Sequence, residues 1–231
     1  MISVIIPTLN EEACVPDVIK YIFGVANKDE VEIIVADGGS TDNTIKKSLK
    51  AGAKVVHASR EGRAVQMNEG AKAAQGEYLF FLHADTYPPK SFVEDVNNEF
   101  SQRCNAGCYC LSFDNPNKAL KWYGWFTKFD IDLFRFGDQG LFISRSFFDE
   151  IGGFDDALSV MEDQEIIKRI KAKGTFCISD KKVITSARKY EIVGVFKLQL
   201  IFTLILVLYY AGIDQERLSG IYQRLLSKSG Y

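Results

Sequence analysis

The chain has 231 residues, 47% apolar and 25% charged, enough for one large domain with a substantial core. Its formal net charge of -2 excludes a general attraction to polyanions, so no nucleic-acid partner is expected. Five cysteines are too few for a disulfide scaffold. Cys104, Cys108 and Cys110 lack paired CxxC spacing or a nearby histidine, so free thiols in a reducing cytoplasm are the expectation.

The first residues, Met1-Ile2-Ser3-Val4-Ile5-Ile6, carry no basic n-region or cleavage site and enter a strand at once. That strand, 2–6, is closed by Pro7, and Thr8-Leu9-Asn10-Glu11-Glu12 forms a polar loop. Val15, Val18, Ile19, Ile22 and Phe23 then recur on one side of a helix over 13–25. A second strand, 31–36, ends at Asp37-Gly38-Gly39-Ser40-Thr41-Asp42, whose last three residues can cap a helix reaching Lys50. A third strand, 53–58, leads through Ser59-Arg60-Glu61-Gly62 into a helix carrying Arg63, Gln66, Met67 and Asn68. Tyr78-Leu79-Phe80-Phe81-Leu82 is a short unbroken apolar run, the pattern of a strand buried on both faces. It turns abruptly polar at His83-Ala84-Asp85-Thr86.

Strand and helix alternate three times before this fourth strand, which predicts a parallel sheet covered by helices on both faces. The strand-end clusters Thr8/Asn10/Glu11, Asp37/Ser40/Asp42, Arg60/Arg63 and His83/Asp85 then share one rim, where ligands of open α/β sheets bind. Further on, 106–113 reads as a strand and 118–136 is rich in aromatics. Gly137-Asp138-Gln139-Gly140 precedes a strand at 141–144, and Met161-Glu162-Asp163 opens a helix reaching Lys173. Two short strands are expected near 176–178 and 183–185. From Leu198 to Ile213 only Gln199 and Thr203 are polar; these 16 residues fall short of the ~20 a spanning helix needs. A buried helix, a homodimer interface or a helix lying in a membrane surface would each suit them. The reading is one domain over 1–190 with a C-terminal helical extension over 191–231.

The rim lacks the familiar cofactor signatures. No GxGxxG follows the first strand, and no GK[ST], GxSxG or HExxH occurs, which disfavours dinucleotide, P-loop, serine-hydrolase and zinc-hydrolase chemistry. What remains is a nucleotide held by acids and arginines. In that setting the chain resembles the family-2 glycosyltransferases of the GT-A fold. The resemblance lies in Pro7-Thr8-Leu9-Asn10-Glu11-Glu12, Asp37-Gly38-Gly39-Ser40-Thr41-Asp42, Gly62-Arg63-Ala64-Val65-Gln66-Met67-Asn68, His83-Ala84-Asp85 and Glu162-Asp163. These blocks cover about 2–188 in the family's order, and the chain looks most like small bacterial and cyanobacterial enzymes with GRAxQMNxGA and MED segments.

The resemblance implies a three-layer α/β sandwich with a mostly parallel central sheet, and transfer of a hexosyl unit from a nucleotide diphosphate sugar with inversion. It assigns Pro7, Thr8, Glu11, Asp37, Arg63, Asn68 and Ala84 to a nucleotide, UDP above all. It makes Asp163 the base that deprotonates an acceptor hydroxyl, and sets one divalent ion, Mn²⁺ or Mg²⁺, at Asp85 and His83. The chain departs from the family's pattern at two points: His83 replaces the first acid of the DxD motif, and Arg188 stands where many relatives have a late histidine ligand. Imidazole suits Mn²⁺ better than Mg²⁺, and a guanidinium at 188 can pair with the diphosphate. The aromatic stretch and the 198–213 segment point to a lipid or lipid-linked acceptor at the inner membrane surface. Two alternatives stay open. A sugar nucleotidyltransferase would need a GxGxR segment that is absent, and the degenerate DxD leaves room for a non-catalytic sugar-nucleotide-binding protein.

Overall fold

The apolar run at the N-terminus becomes β1 (Ile2–Thr8), the inner strand of a sheet in a computed structural model that describes residues 1–102 and 104–229. β1 pairs in parallel with β2 (Val31–Asp37) on one side and β4 (Tyr78–Phe81) on the other, which is why nearly every residue in all three is apolar. Between them lie α1 (Val15–Val25), α2 (Thr44–Lys50), β3 (Lys54–His57) and α3 (Arg63–Ala73). The rest of the chain adds β5 (Thr86–Tyr87), α4 (Phe92–Ser101), β6 (Ala106–Phe113), α5 (Lys118–Phe126), β7 (Leu141–Ser144), α6 (Arg145–Ile151), α7 (Glu162–Lys173) and β8 (Phe176–Thr185). Three further helices follow: α8 (Arg188–Val193), α9 (Val195–Tyr210) and α10 (Gln215–Ser227).

The eight strands form one sheet in the order β3-β2-β1-β4-β7-β6-β8-β5. The parallel expectation holds for β3, β2, β1 and β4, but β7 runs antiparallel to both β4 and β6, and β5 antiparallel to β8. Residues alternate between the sheet's two faces. Ile2, Val4 and Ile6 pack with Val18, Ile19 and Ile22 of α1, whereas Ile5 joins Ala64 and Met67 of α3 and Ile166 and Ile170 of α7. Each of the Ile, Val and Met side chains among them stabilises the fold by about 1.5–3 kcal/mol relative to exposure. α3 approaches β1 so closely at Gly70 that a Cβ there would lie 2.4 Å from Ile5 Cγ2.

Two expectations are corrected. The pair of short strands near 176–178 and 183–185 is the single strand β8; its polar middle, Ser179-Asp180-Lys181-Lys182, reads like a turn. In fact it carries an irregularity in the ladder opposite Tyr109 and Cys110. The cysteines are not all free: Cys104 and Cys177 form a disulfide with Cα atoms 6.0 Å apart. Gly107 faces Cys177 in the β6–β8 register, which brings residues 73 apart in sequence together. Cys14, Cys108 and Cys110 remain thiols.

Candidate functional site

The site lies beyond the carboxyl ends of β1, β2 and β4. Thr8 and Asp37 close the β1–β2 ladder opposite one another. Asp37 is almost fully buried, and its carboxylate accepts hydrogen bonds from Gly39 N (2.9 Å), Ser40 N (2.9 Å), Ser40 Oγ (2.5 Å) and Thr8 Oγ1 (3.3 Å). Burial alone would raise its pKa; these donors outweigh that and hold it below the usual carboxylate range. Gln66 Nε2 donates to the carbonyls of Thr8 (2.7 Å) and Ala36 (2.8 Å), fastening α3 to both strand ends. The loop after β1 is strapped to the loop after β2. Asn10, at φ 56, accepts from Thr41 N, while Glu11 N and Glu12 N donate to Thr44 Oγ1 and Asp42 Oδ2.

Two features of the sheet complete the rim. The short β5–β8 pairing, Thr86 opposite Thr185, delivers the residues after β8 to the fourth strand's loop, so Ser186 N donates to Asp85 O (3.2 Å). Arg188 follows directly, and its Nη2 lies 3.3 Å from Glu11 Oε2. The antiparallel β4–β7 pairing sets Phe81 opposite Leu141, so residues just after β4 meet those just before β7. His83 Nδ1 therefore lies 2.9 Å from Asp138 Oδ1. Burial would raise Asp138, but the hydrogen bond and charge of His83, followed by Arg63 and Lys189, hold its carboxyl down to about 2. Asp85 is pushed up, first by burial and then by the nearby Asp138 charge, against His83 and Arg188. Glu11 is likewise raised by burial, partly offset by Arg188.

Asp163 sits on the first turn of α7, after Met161 at φ 69. Its Oδ2 accepts from Gly137 N (2.6 Å) and its Oδ1 from Gln164 N (2.8 Å), so both oxygens are oriented by backbone. Burial, and then the charge of the buried neighbour Glu162, push its pKa up to about 6. Glu162 itself pairs with Arg63 Nη1 at 3.1 Å. A cavity of about 20 Å³, lined by Pro7, Arg63, His83, Gly137 and Asp163 among others, opens beside the carboxylate. The turn that carries Gly137 and Asp138 is pinned from behind. Arg135, fully buried, donates to Gln139 Oε1 (2.6 Å) and to the carbonyls of Thr127 and Phe129, and Gln164 Nε2 donates to Arg135 O.

The structure thus gathers Glu11, Arg63, His83, Asp85, Asp163 and Arg188 on one rim, with Thr8 and Asp37 at its β1–β2 end. Pro7 lines the cavity and Ala84 is buried in the core beneath. Asn68 is engaged elsewhere: its amide bonds Phe154 N and O and Asp156 Oδ1, clamping the turn after α6 to α3. Sequence reasoning missed Asp138. The signal was the Gly137-Asp138-Gln139-Gly140 segment, but only the reversed direction of β7 brings it to His83.

The donor set of the rim, carboxylates with one imidazole, fits a divalent ion such as Mn²⁺. Among the described residues, the trio closing to within 4.8 Å is Glu99, Cys104 and Cys177, two of which share the disulfide. His83, Asp85 and Asp138 do not close that tightly, so an ion at the rim would draw further oxygens from phosphate and water.

The glycosyl transferase family 2 profile matches residues 3–162. Over 110 residues the chain is 33% identical to a Methanococcus voltae protein named dolichyl N-acetyl-alpha-D-glucosaminyl phosphate 3-beta-D-2,3-diacetamido-2,3-dideoxy-beta-D-glucuronosyltransferase. The match covers 44% of this chain and 34% of that one. It is 33% identical over 96 residues to glucosyl-3-phosphoglycerate synthase of Mycobacterium tuberculosis, covering 38% and 30%. The matched stretches thus span about a third of each relative's length. The crystal structure of that synthase with Mn²⁺, UDP and glucosyl-3-phosphoglycerate aligns with a TM-score of 0.56 at 20% identity, over 80% of this chain and 70% of that one. S. aureus TarS residues 1–349 in complex with UDP-GlcNAc aligns at 0.64 and 17% identity, over 97% and 71%. Likeness at these identities shows a shared fold.

Proposed function

The chain belongs to glycosyl transferase family 2, and on that premise we propose that it moves a sugar from a UDP-sugar to an acceptor hydroxyl with inversion. One observation carries this reading: a hydrogen-bonded β1–β2 end, the Glu11–Arg188 pair and an oriented carboxylate at Asp163 share a single rim. Thr8, Asp37 and the backbone about Pro7 and Ala84 take the nucleoside, with Arg63 and Glu11 beside it. Asn68 supports them through the 154–156 turn it clamps. Asp163 accepts the acceptor's hydroxyl proton as that oxygen attacks the anomeric carbon. The bond to the diphosphate breaks on the opposite side, and UDP departs with its electron pair. A divalent ion held at Asp85, with His83 and phosphate oxygens, would neutralise the leaving group.

Arg188 shares that neutralisation. It gives up Glu11 for the diphosphate when the donor enters, exchanging one carboxylate partner for another anion. Arg188→Ala therefore weakens UDP binding roughly tenfold, the loss of one charge-assisted hydrogen bond of about 1.5 kcal/mol. Calorimetric titration with UDP at fixed Mn²⁺ reads this directly, and unchanged affinity would remove Arg188 from the donor site. The donor reading itself is tested by a melting-temperature screen of nucleotide sugars with and without Mn²⁺, since ligands of the native state raise it. Uridine nucleotides should give the largest rise; no rise with any of them would refute it.

The acceptor is lipid or lipid-linked, and the protein works at a membrane surface. Trp122 and Trp125 on α5 stand exposed with Lys128 stacked over Trp125 at 4.3 Å, a pairing suited to a headgroup region. On α9, Phe196, Leu200, Val207 and Tyr210 project outward while Leu198, Ile201 and Ile205 are buried. No described helix is long and apolar enough to cross a membrane, so α9 would lie along the surface. The name of the M. voltae relative, which includes a dolichyl-linked substrate, supports the same acceptor class. Cosedimentation with anionic phospholipid vesicles, lost in Leu200→Glu, is the expected result. A dimer in vesicle-free buffer that Leu200→Glu dissociates would reassign the face to a second copy.

A further inference from the structure

The last helices pack against the loop that leads into the site. α9 and α10 close on one another through Leu198, Ile201, Ile205, Leu218 and Leu226, and Val160 and Met161 pack against this cluster. Those two residues directly precede Glu162 and Asp163. On the first turn of α10, Gln215 Oε1 accepts from Ser159 N (3.1 Å) and Val160 N (3.2 Å), tying the helix to the same loop. Met161 keeps a left-handed backbone that a non-glycine residue holds only where its surroundings impose it.

Two turns on from Gln215, and so on the same face of α10, comes Tyr222. Lys189 Nζ donates to its hydroxyl at 3.4 Å, and its ring centroid lies 6.3 Å from that of Phe202 on α9. The phenol is within electrostatic reach of Arg63, Asp138, Glu162 and Asp163, four groups of the rim contributed by three other segments. The β1 and β2 loops are committed to each other at the nucleoside end. The hairpin is instead bound to the loop, 159–161, that leads into Asp163.

We propose that Tyr222, held by Lys189, forms the acceptor-side wall of the site, touching the acceptor and keeping bulk water from Asp163. This rests on the UDP-sugar reading above. A carboxylate able to deprotonate an acceptor hydroxyl can deprotonate water as well. In that side reaction the water oxygen bonds to the anomeric carbon, its proton passes to Asp163, and UDP leaves with the electron pair. Transfer prevails over hydrolysis only if water is excluded. The cavity beside Asp163, about 20 Å³, holds about one water.

The test uses the full chain with Tyr222→Ala, and with Tyr222→Leu should the alanine variant lose its fold. UDP release from UDP-GlcNAc and from UDP-glucose is followed without acceptor, and UDP affinity is measured by calorimetry. Release should rise roughly tenfold in either variant, because the ring no longer shields the base. UDP affinity should stay within about twofold throughout. UDP binding with release no faster than wild type, measurable or nil, overturns the inference alone. A large loss of UDP affinity also overturns it, by moving Tyr222 to the nucleotide. A wild-type protein that does not bind UDP overturns the donor reading and this one together.

Discussion

Asp163→Asn lowers kcat by about 10²–10⁴-fold while UDP still binds, because it removes the proton acceptor and keeps the shape. The amide can still accept from Gly137 N through one atom, so the turn at 137–139 stays in place. The wild-type pH profile gives an independent check. Burial and the Glu162 charge raise Asp163 to about 6, so the active, deprotonated form grows in as pH rises through that value. kcat/KM should climb with pH and level off above about 7. Stability runs the other way. Between the ordinary aspartate value of 3.8 and about 6, the folded state keeps a proton that the unfolded state has lost. The contribution of Asp163 to stability therefore declines as pH rises across the interval in which activity appears. Glu162→Gln removes the like charge and frees Arg63, both of which lower the base's pKa, so the ascending limb should move to lower pH. A limb that stays put in that variant would mean Asp163 is not the group being titrated.

Much of the first half was legible because its signals are local. Strand runs such as Tyr78-Leu79-Phe80-Phe81 and the spacing of Val15, Val18, Ile19 and Ile22 specify their elements without reference to the rest of the chain. The loops after β1 and β2 could be paired in advance because parallel neighbours end on the same side. Direction is what the sequence does not carry for a short buried strand. Leu141-Phe142-Ile143 has the same composition whichever way it runs, yet only the antiparallel arrangement sets Asp138 on His83. The Cys104–Cys177 bond was hidden for a related reason, since it depends on the β6–β8 register across 73 residues. Arg188 was named from family resemblance; its pairing with Glu11 follows from β5, a two-residue strand that turn signals alone do not predict. Tyr222 lay in a helix whose polar surface gave no hint that one face packs toward the loop leading into Asp163.

The reversed strand makes Gly137 a more consequential residue than its neighbours. Gly137→Ala should lower kcat by about 10²-fold with little change in the urea midpoint. No left-handed φ explains the glycine, unlike Gly140 at φ 67, so alanine is conformationally permitted there. The obstacle is space. A Cβ at 137 would lie 2.8 Å from His83 Nε2 and 3.5 Å from Asp163 Oδ2, between the histidine of the diphosphate end and the base. The same residue's N–H orients Asp163 at 2.6 Å, so any shift that relieves the clash also moves the catalytic oxygen. A displacement near 1 Å suffices for a loss of about 10². Gly24→Ala is the matched control, because a Cβ there meets nothing within 4 Å. Should Gly137→Ala keep its turnover within about threefold of Gly24→Ala, the gap between His83 and Asp163 has no part in the reaction. Loss of activity with an unchanged pH limb would instead identify misplacement of the base, rather than a change in its protonation, as the cause.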